Sequence, residues 1–199
     1  MSAEQRLADR RERLMSAAYT LYASLGFAAT TIERLCAEAR ISNRAFYECF
    51  GSREELLQAV HSRCMEESLA VVSQALQEAS DEGIDQQIRA GIEAYMAFAT
   101  SDRRRARILH LEVRRSGHVL TNARQRGVEA FAQLIEDTMK DTAPSPRINP
   151  HLLALALIGA IQELLIEWVV NDPPPPVEQL AEVAVHIFHR AYLPAGDPA

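Results

Sequence analysis

TTIERLCAEARISNRAFYECFGSREELL, residues 30–57, sets three helix-start signals close together and leaves almost no loop between them. Thr30 followed by Glu33 reads as a capping box, predicting a helix from Thr31 with Ile32, Leu35, Cys36 and Ala39 on one face. Arg40, Ile41 and Ser42 form a three-residue connection, and Ser42 is a good N-cap for a helix over Asn43 to Phe50. In that helix Phe46, Cys49 and Phe50 fall on one side, while Asn43, Arg44 and Tyr47 fall on the other. Gly51 stops it, and Ser52 with Glu55 makes a second capping box that opens a long helix.

A helix of about eight residues does not stand alone, because nucleation is costly and few bonds repay it. Packing must hold it. A short, braced helix with a polar and cationic free face is what a recognition helix needs to enter the roughly 12 Å wide major groove. The same spacing also fits an ordinary corner between two helices in a bundle, so both readings stand at this point.

The letters of the run add to its spacing. Paired threonines, an apolar helix, a tight turn ending in Ser, a Tyr near a Phe, then a basic residue and acidic-Leu-Leu resemble the DNA-binding signature of the TetR family of transcriptional regulators. The likeness covers about Arg11 to Leu57. It implies an all-α, TetR-like fold of about nine helices: a three-helix helix-turn-helix head over residues 1–52, and an effector-binding and dimerisation domain over 53–199. Two positions depart from the pattern. Arg40 stands where the turn usually has Gly, so a left-handed backbone there carries a penalty of about 1 kcal/mol. Glu48 replaces a neutral or basic residue near the phosphates, which weakens nonspecific attraction.

Within this frame Arg44 suits a bidentate contact to guanine and Asn43 one to adenine, each worth about 1 to 3 kcal/mol of discrimination. Ala45 is placed against a thymine methyl. Thr31, Ser42, Tyr47 and Arg53 match family positions that contact the sugar-phosphate backbone. The whole chain is acidic, with a net charge of −6 over 199 residues, which argues only against broad nonspecific binding. Eight of the 21 cations and eight of the 27 anions lie within residues 1–57. Residues 58–199 therefore carry the entire −6, and the amino-terminal part is where a polyanion would be met.

A composition of 48% hydrophobic and 24% charged residues describes a globular chain with a real core. The pattern is helical almost throughout. A first helix over about 4–25 ends at Gly26. The long helix from Arg53 runs to about Ala79 and is ended by SDEG at 80–83. Ile88, Ile92, Tyr95, Met96 and Ala99 mark the next, and Ser101 or Asp102 caps RRRARILHLEVRR, which has apolar residues on more than one side and is wedged between neighbours. Another spans about Val119 to Lys140. APSPRINP at 143–150 is a loop that supplies Asn149 as cap and Pro150 as first helical residue. DPPPP at 172–176 separates the last two helices, and PAGDPA frays at the end. The apolar run at 152–170 contains Gln162, Glu163 and Glu167 and is read as a buried helix, not a membrane span. The charged N-terminus lacks the apolar core of an export signal, so the expected location is the cytoplasm.

One recognition helix contacts too few base pairs for a genomic address, so a homodimer on double-stranded DNA is expected. Its seam is placed on the last two helices, through Ala154, Ala156, Gly159, Ala160, Ala181 and Ala184. A pocket for a partly apolar small-molecule effector is placed among the middle helices near Tyr95, Met96, His110, Phe131 and Trp168. His110 with Glu112, or Glu163 with Glu167, is available to orient a polar group on it. No cofactor and no metal is expected. Cys36, Cys49 and Cys64 lack metal-type spacing and read as reduced core residues. HExxH, GxSxG, GxGxxG and P-loop patterns are absent, which argues against an enzyme. A helical adaptor that binds protein through the same short helix is the other reading.

Overall fold

The computed structural model describes residues 2–142 and 147–192, and every regular element among them is helical. Nine helices follow in order: α1 (Ala3–Leu25), α2 (Ile32–Ala39), α3 (Asn43–Cys49), α4 (Arg53–Glu78), α5 (Ile84–Thr100), α6, α7 (Thr121–Met139), α8 (Pro150–Val170) and α9 (Val177–Tyr192). Helix α6 is composite: Arg103–Ala106 leads into a π-helical turn, Arg107–Glu112, and on to Val113–Arg115. The π turn was not foreseen. It matches the all-round burial of this segment, since Ile108, Leu109, His110, Leu111 and Glu112 are five successive buried residues. The frayed tail expected at PAGDPA and the first four residues of the 143–150 loop lie outside the described residues.

Most predicted ends hold. Gly26 closes α1 at φ 83°, and Asn149 caps α8 by accepting from the Leu152 amide at 3.0 Å, with Pro150 in the first turn. The first cap is displaced by one residue and is not a capping box. Thr31, not Thr30, is the N-cap, and its hydroxyl oxygen accepts from Arg34 N at 3.3 Å. Thr30 is buried and donates to the Gly26 carbonyl at 2.8 Å. At Ser52 the hydroxyl accepts from Glu55 N at 3.1 Å, but the Glu55 carboxylate reaches back to Gly51 N at 2.7 Å. Phe50 lies outside α3 in extended backbone.

The chain gathers into two compact units, residues 1–65 with 104–124, and residues 66–103 with 125–199. The head of residues 1–52 read from sequence therefore shares its unit with the start of α4 and with 104–124. In that unit Leu14, Ala18, Tyr22, Leu35, Phe46, Phe50, Leu56, Leu57, Ile108 and Leu120 are essentially fully buried. Burying an aromatic or leucine side chain contributes about 1.5 to 3 kcal/mol. Phe46 and Phe50 alone thus outweigh the nucleation deficit of so short an α3.

In the second unit α5 packs on α9 and α9 on α8. Ile88, Ile92 and Met96 supply the α5 face; Leu180, Ala184 and Phe188 supply that of α9. Gly91 permits a close approach, since a Cβ there would stand 3.0 Å from a Leu76 methyl. Arg103 ends α8 by donating to the Val169 and Asn171 carbonyls at 3.0 and 2.7 Å. Helix α8 is less enclosed than the sequence suggests, with 28% of its apolar stretch buried and Leu152 and Val170 exposed. By length and composition it is long and apolar enough to cross a membrane, and its interrupting Gln162, Glu163 and Glu167 remain.

Candidate nucleic-acid interface

Helices α2 and α3 are too short to hold themselves, and the charged face of α1 completes them. Arg13 donates to the Ala39 and Arg40 carbonyls at 2.5 and 2.7 Å, closing the end of α2. Arg11 donates to the Cys49 carbonyl at the end of α3 and lies 4.2 Å over the Phe50 ring. Both guanidiniums thus satisfy carbonyls that a helix terminus leaves orphaned and face its negative dipole end. Sequence reasoning counted these arginines as net charge and missed the role, because nothing local in the chain pairs residue 13 with residue 39. The turn between the helices is tight: Arg40 is left-handed at φ 52°, ψ 49°, as the sequence anticipated.

This bracing leaves one face of α3 free. Asn43 is exposed, the Arg44 side chain is 90% exposed and Tyr47 is 60% exposed, with its ring edge-on to Phe46. Thr31 and Ser42 are exposed as well, each capping its helix, with Ser42 Oγ accepting from Ala45 N at 3.2 Å. Glu48 sits on the same face between two cations, 2.9 Å from Arg10 and 3.4 Å from Arg44. Hydrogen bonds from its own backbone amide and from the Thr31 hydroxyl hold the Glu33 carboxyl below its usual range.

Two expected contact residues are placed differently. Ala45 is only 8% exposed, its methyl taken up by the packing that holds α3. Arg53 is engaged in the loop before α2: it donates to the Phe27 and Thr30 carbonyls at 3.3 and 2.5 Å and lies 4.3 Å over the Phe27 ring. Thr31, Ser42, Asn43, Arg44 and Tyr47 are thus all exposed, whereas the half-buried Arg53 braces the loop before α2.

The residues expected to meet an effector are divided. Tyr95 and Phe131 meet edge to face at 5.3 Å, Met96 is buried, and the Trp168 ring lies 5.8 Å from the Arg103 guanidinium, all in the second unit. Burial pushes the Tyr95 phenol well above its usual range. His110 belongs to the first unit, in the π turn, where burial, with smaller contributions from His61 and Arg114, lowers it to about 3. Glu112 is taken already: its Oε2 accepts from Phe27 N at 2.9 Å. Cys36, Cys49 and Cys64 are buried free thiols, in keeping with their reading as core residues.

Residues 14–60, which span this braced motif, match the family model described as bacterial regulatory proteins, tetR family. Over these residues the chain is similar to the tetR family of bacterial regulatory proteins. Proteins of that family are DNA-binding transcriptional regulators and not enzymes. The chain is 23% identical over 177 residues to the HTH-type transcriptional activator FasR of Mycolicibacterium smegmatis, covering 89% of this chain and 80% of that one. Its fold is similar to that of the fatty acid degradation regulator FadR from Bacillus halodurans, with a TM-score of 0.79, 15% identity, and coverage of 89% and 93% of the two chains. FadR from Bacillus subtilis, solved in complex with stearoyl-CoA, gives a TM-score of 0.76 at 16% identity, covering 88% and 96%.

Proposed function

We propose that this regulator binds a palindromic operator as a homodimer and is released by a small, partly apolar effector, acting in the cytoplasm as a repressor. The observation that carries the DNA reading is the exposed face of α3, bearing Asn43, Arg44 and Tyr47 on a helix too short to exist without bracing. Arg44 reads guanine and Asn43 adenine; Thr31, Ser42 and Tyr47 hold phosphates. Head residues 1–52 and effector residues 53–199 remain the functional division.

Support for the dimer comes from α8 and α9. Leu152 and Val170 on α8 and Val183 on α9 are exposed apolar residues, Ala156 is exposed, and a Cβ at Gly159 would meet nothing. Ala154, Ala181 and Ala184, expected in the seam, are instead buried within one subunit. The seam therefore runs along the outer sides of α8 and α9. For the effector, the stearoyl-CoA bound by the Bacillus subtilis FadR makes long-chain acyl thioesters the first probes. A pocket that includes Tyr95, Met96, Phe131 and Trp168 supplies the apolar surface such a chain needs. A ligand that favours another separation of the heads shifts the population and lowers DNA affinity. FasR is an activator, so a reporter gene driven by the bound site determines the sign of the output.

The test is selection of bound fragments from genomic DNA, followed by titration of the selected duplex with wild type and Arg44→Ala. The expected outcome is a loss of about 1 to 3 kcal/mol of discrimination at one base position per half-site. Binding that is equally tight to random duplex, with no salt dependence, would refute the assignment.

A further inference from the structure

The loop between α1 and α2 decides where the recognition motif begins, and two distant helices hold it. From α4, Arg53 takes the Phe27 and Thr30 carbonyls. From α6, Glu112 takes the Phe27 amide at 2.9 Å across 85 residues of sequence. Glu112 is 2% exposed, and its other carboxylate oxygen, Oε1, is buried without a hydrogen-bond partner. A carboxylate is expensive to bury with half its acceptors unused, so mere packing does not account for it. Its place in the fold is also unusual. It ends the π turn, and π turns inserted in α-helices are frequent at functional positions. Gly26 lies beside it: a Cβ there would stand 3.5 Å from Oε2, an ordinary van der Waals distance, and its φ of 83° is one that L-residues rarely adopt.

We propose that Glu112 is the positioning residue through which α6 sets the entrance of the recognition motif. Its carboxylate holds the Phe27 amide so that residues 26–31 deliver Thr31 and α2 in the DNA-binding register. This rests on the reading of α3 as the DNA reader. The half-satisfied carboxylate makes the hold releasable: a one-residue register change within the π turn rotates Glu112 by about 100° about the helix axis and takes it off the loop. Because apparent affinity scales with the fraction of heads in the competent arrangement, losing the hold weakens specific binding without removing any DNA contact.

The test uses the full-length protein, wild type, Glu112→Ala and Glu112→Gln, with the selected operator and a random duplex, and with deuterium uptake of the peptide spanning residues 26–31. In Glu112→Ala the expected results are faster uptake in that peptide, uptake in α5, α8 and α9 as in wild type, and roughly ten- to hundredfold weaker operator binding, the weight of one charge-assisted hydrogen bond. Random-duplex affinity stays within about twofold, since phosphate attraction depends on charge more than on register. Glu112→Gln keeps an acceptor without the charge and falls between the two. Unchanged operator affinity and unchanged 26–31 uptake in Glu112→Ala would overturn the proposal, as would a parallel loss of both affinities together with global protection. Should Glu112→Ala fail to fold, Glu112→Gln decides on the same two readouts. A wild-type protein without sequence preference would sink the reading of α3 instead, and the uptake comparison would still decide whether Glu112 holds the loop.

Discussion

Arg40→Gly offers a test of how the recognition motif is built. Arg40 ends α2 in the left-handed region, φ 52°, ψ 49°, with its amide directed at the Ala37 carbonyl at 3.2 Å and the next amide, of Ile41, at the Cys36 carbonyl at 2.9 Å. An L-residue costs about 1 to 2 kcal/mol in that conformation, and glycine avoids the cost. Glycine in turn loses about 0.5 to 1 kcal/mol through the greater freedom of its unfolded chain. The net expectation is a stabilisation of about 0.5 to 1 kcal/mol. For a chain of this size that corresponds to a rise in Tm of about 1 to 4 °C. The Arg13 contact is made to the Arg40 backbone carbonyl and survives the change. Arg40→Ala is the control, since it removes the same charge and side chain but keeps the Cβ. Both variants are to be unfolded by heat at one fixed protein concentration, because a dimer's Tm depends on it. Arg40→Gly no more stable than Arg40→Ala would refute the claim that the turn stores backbone strain.

Glu48→Gln should free Arg10 and Arg44 from ion pairs at 2.9 and 3.4 Å. Stability then changes by less than about 1 kcal/mol, while affinity for random duplex rises and its salt slope steepens by about one to two units; an unaltered slope would count against Glu48 as a brake. Burial holds His61 at about 4 and His110 at about 3, so both stay neutral in the folded chain. Their unfolded forms bind protons below about pH 6.5, so stability present above that pH falls as the pH drops towards 4, by up to about 1.4 kcal/mol per unit for each. His61→Leu removes one of these protons, and urea titrations at pH 5 and pH 8 should show a shallower dependence. Leu152→Asp places a charge on the exposed side of α8 and should give monomers in sedimentation; an intact dimer would move the seam elsewhere.

Much of the motif was legible in residues 30–57 because its determinants are local. Caps act within about one turn, glycine and serine mark ends where they stand, and apolar spacing tells the two faces of α2 and α3 apart. The resemblance, through a turn position usually held by glycine, also marks Arg40 as the strained residue, and its backbone is left-handed. The local reasoning went wrong by one residue at Thr30, where two adjacent threonines offer equivalent hydroxyls. Burial decided between them: Thr30 is turned inward onto the Gly26 carbonyl and leaves Thr31 to cap.

Chain order alone thus established an all-helical protein, a two-helix reading motif and the side of α3 that stays wet, since each follows from contacts three or four residues apart. What Arg11, Arg13, Arg53 and Glu112 do was settled only by folding. Their partners lie 23 to 85 residues away, and a charged side chain carries the same local signature whether it faces solvent, a phosphate or a distant backbone group. Tertiary packing removes that degeneracy, because it alone determines which orphaned carbonyl or amide comes within hydrogen-bond reach.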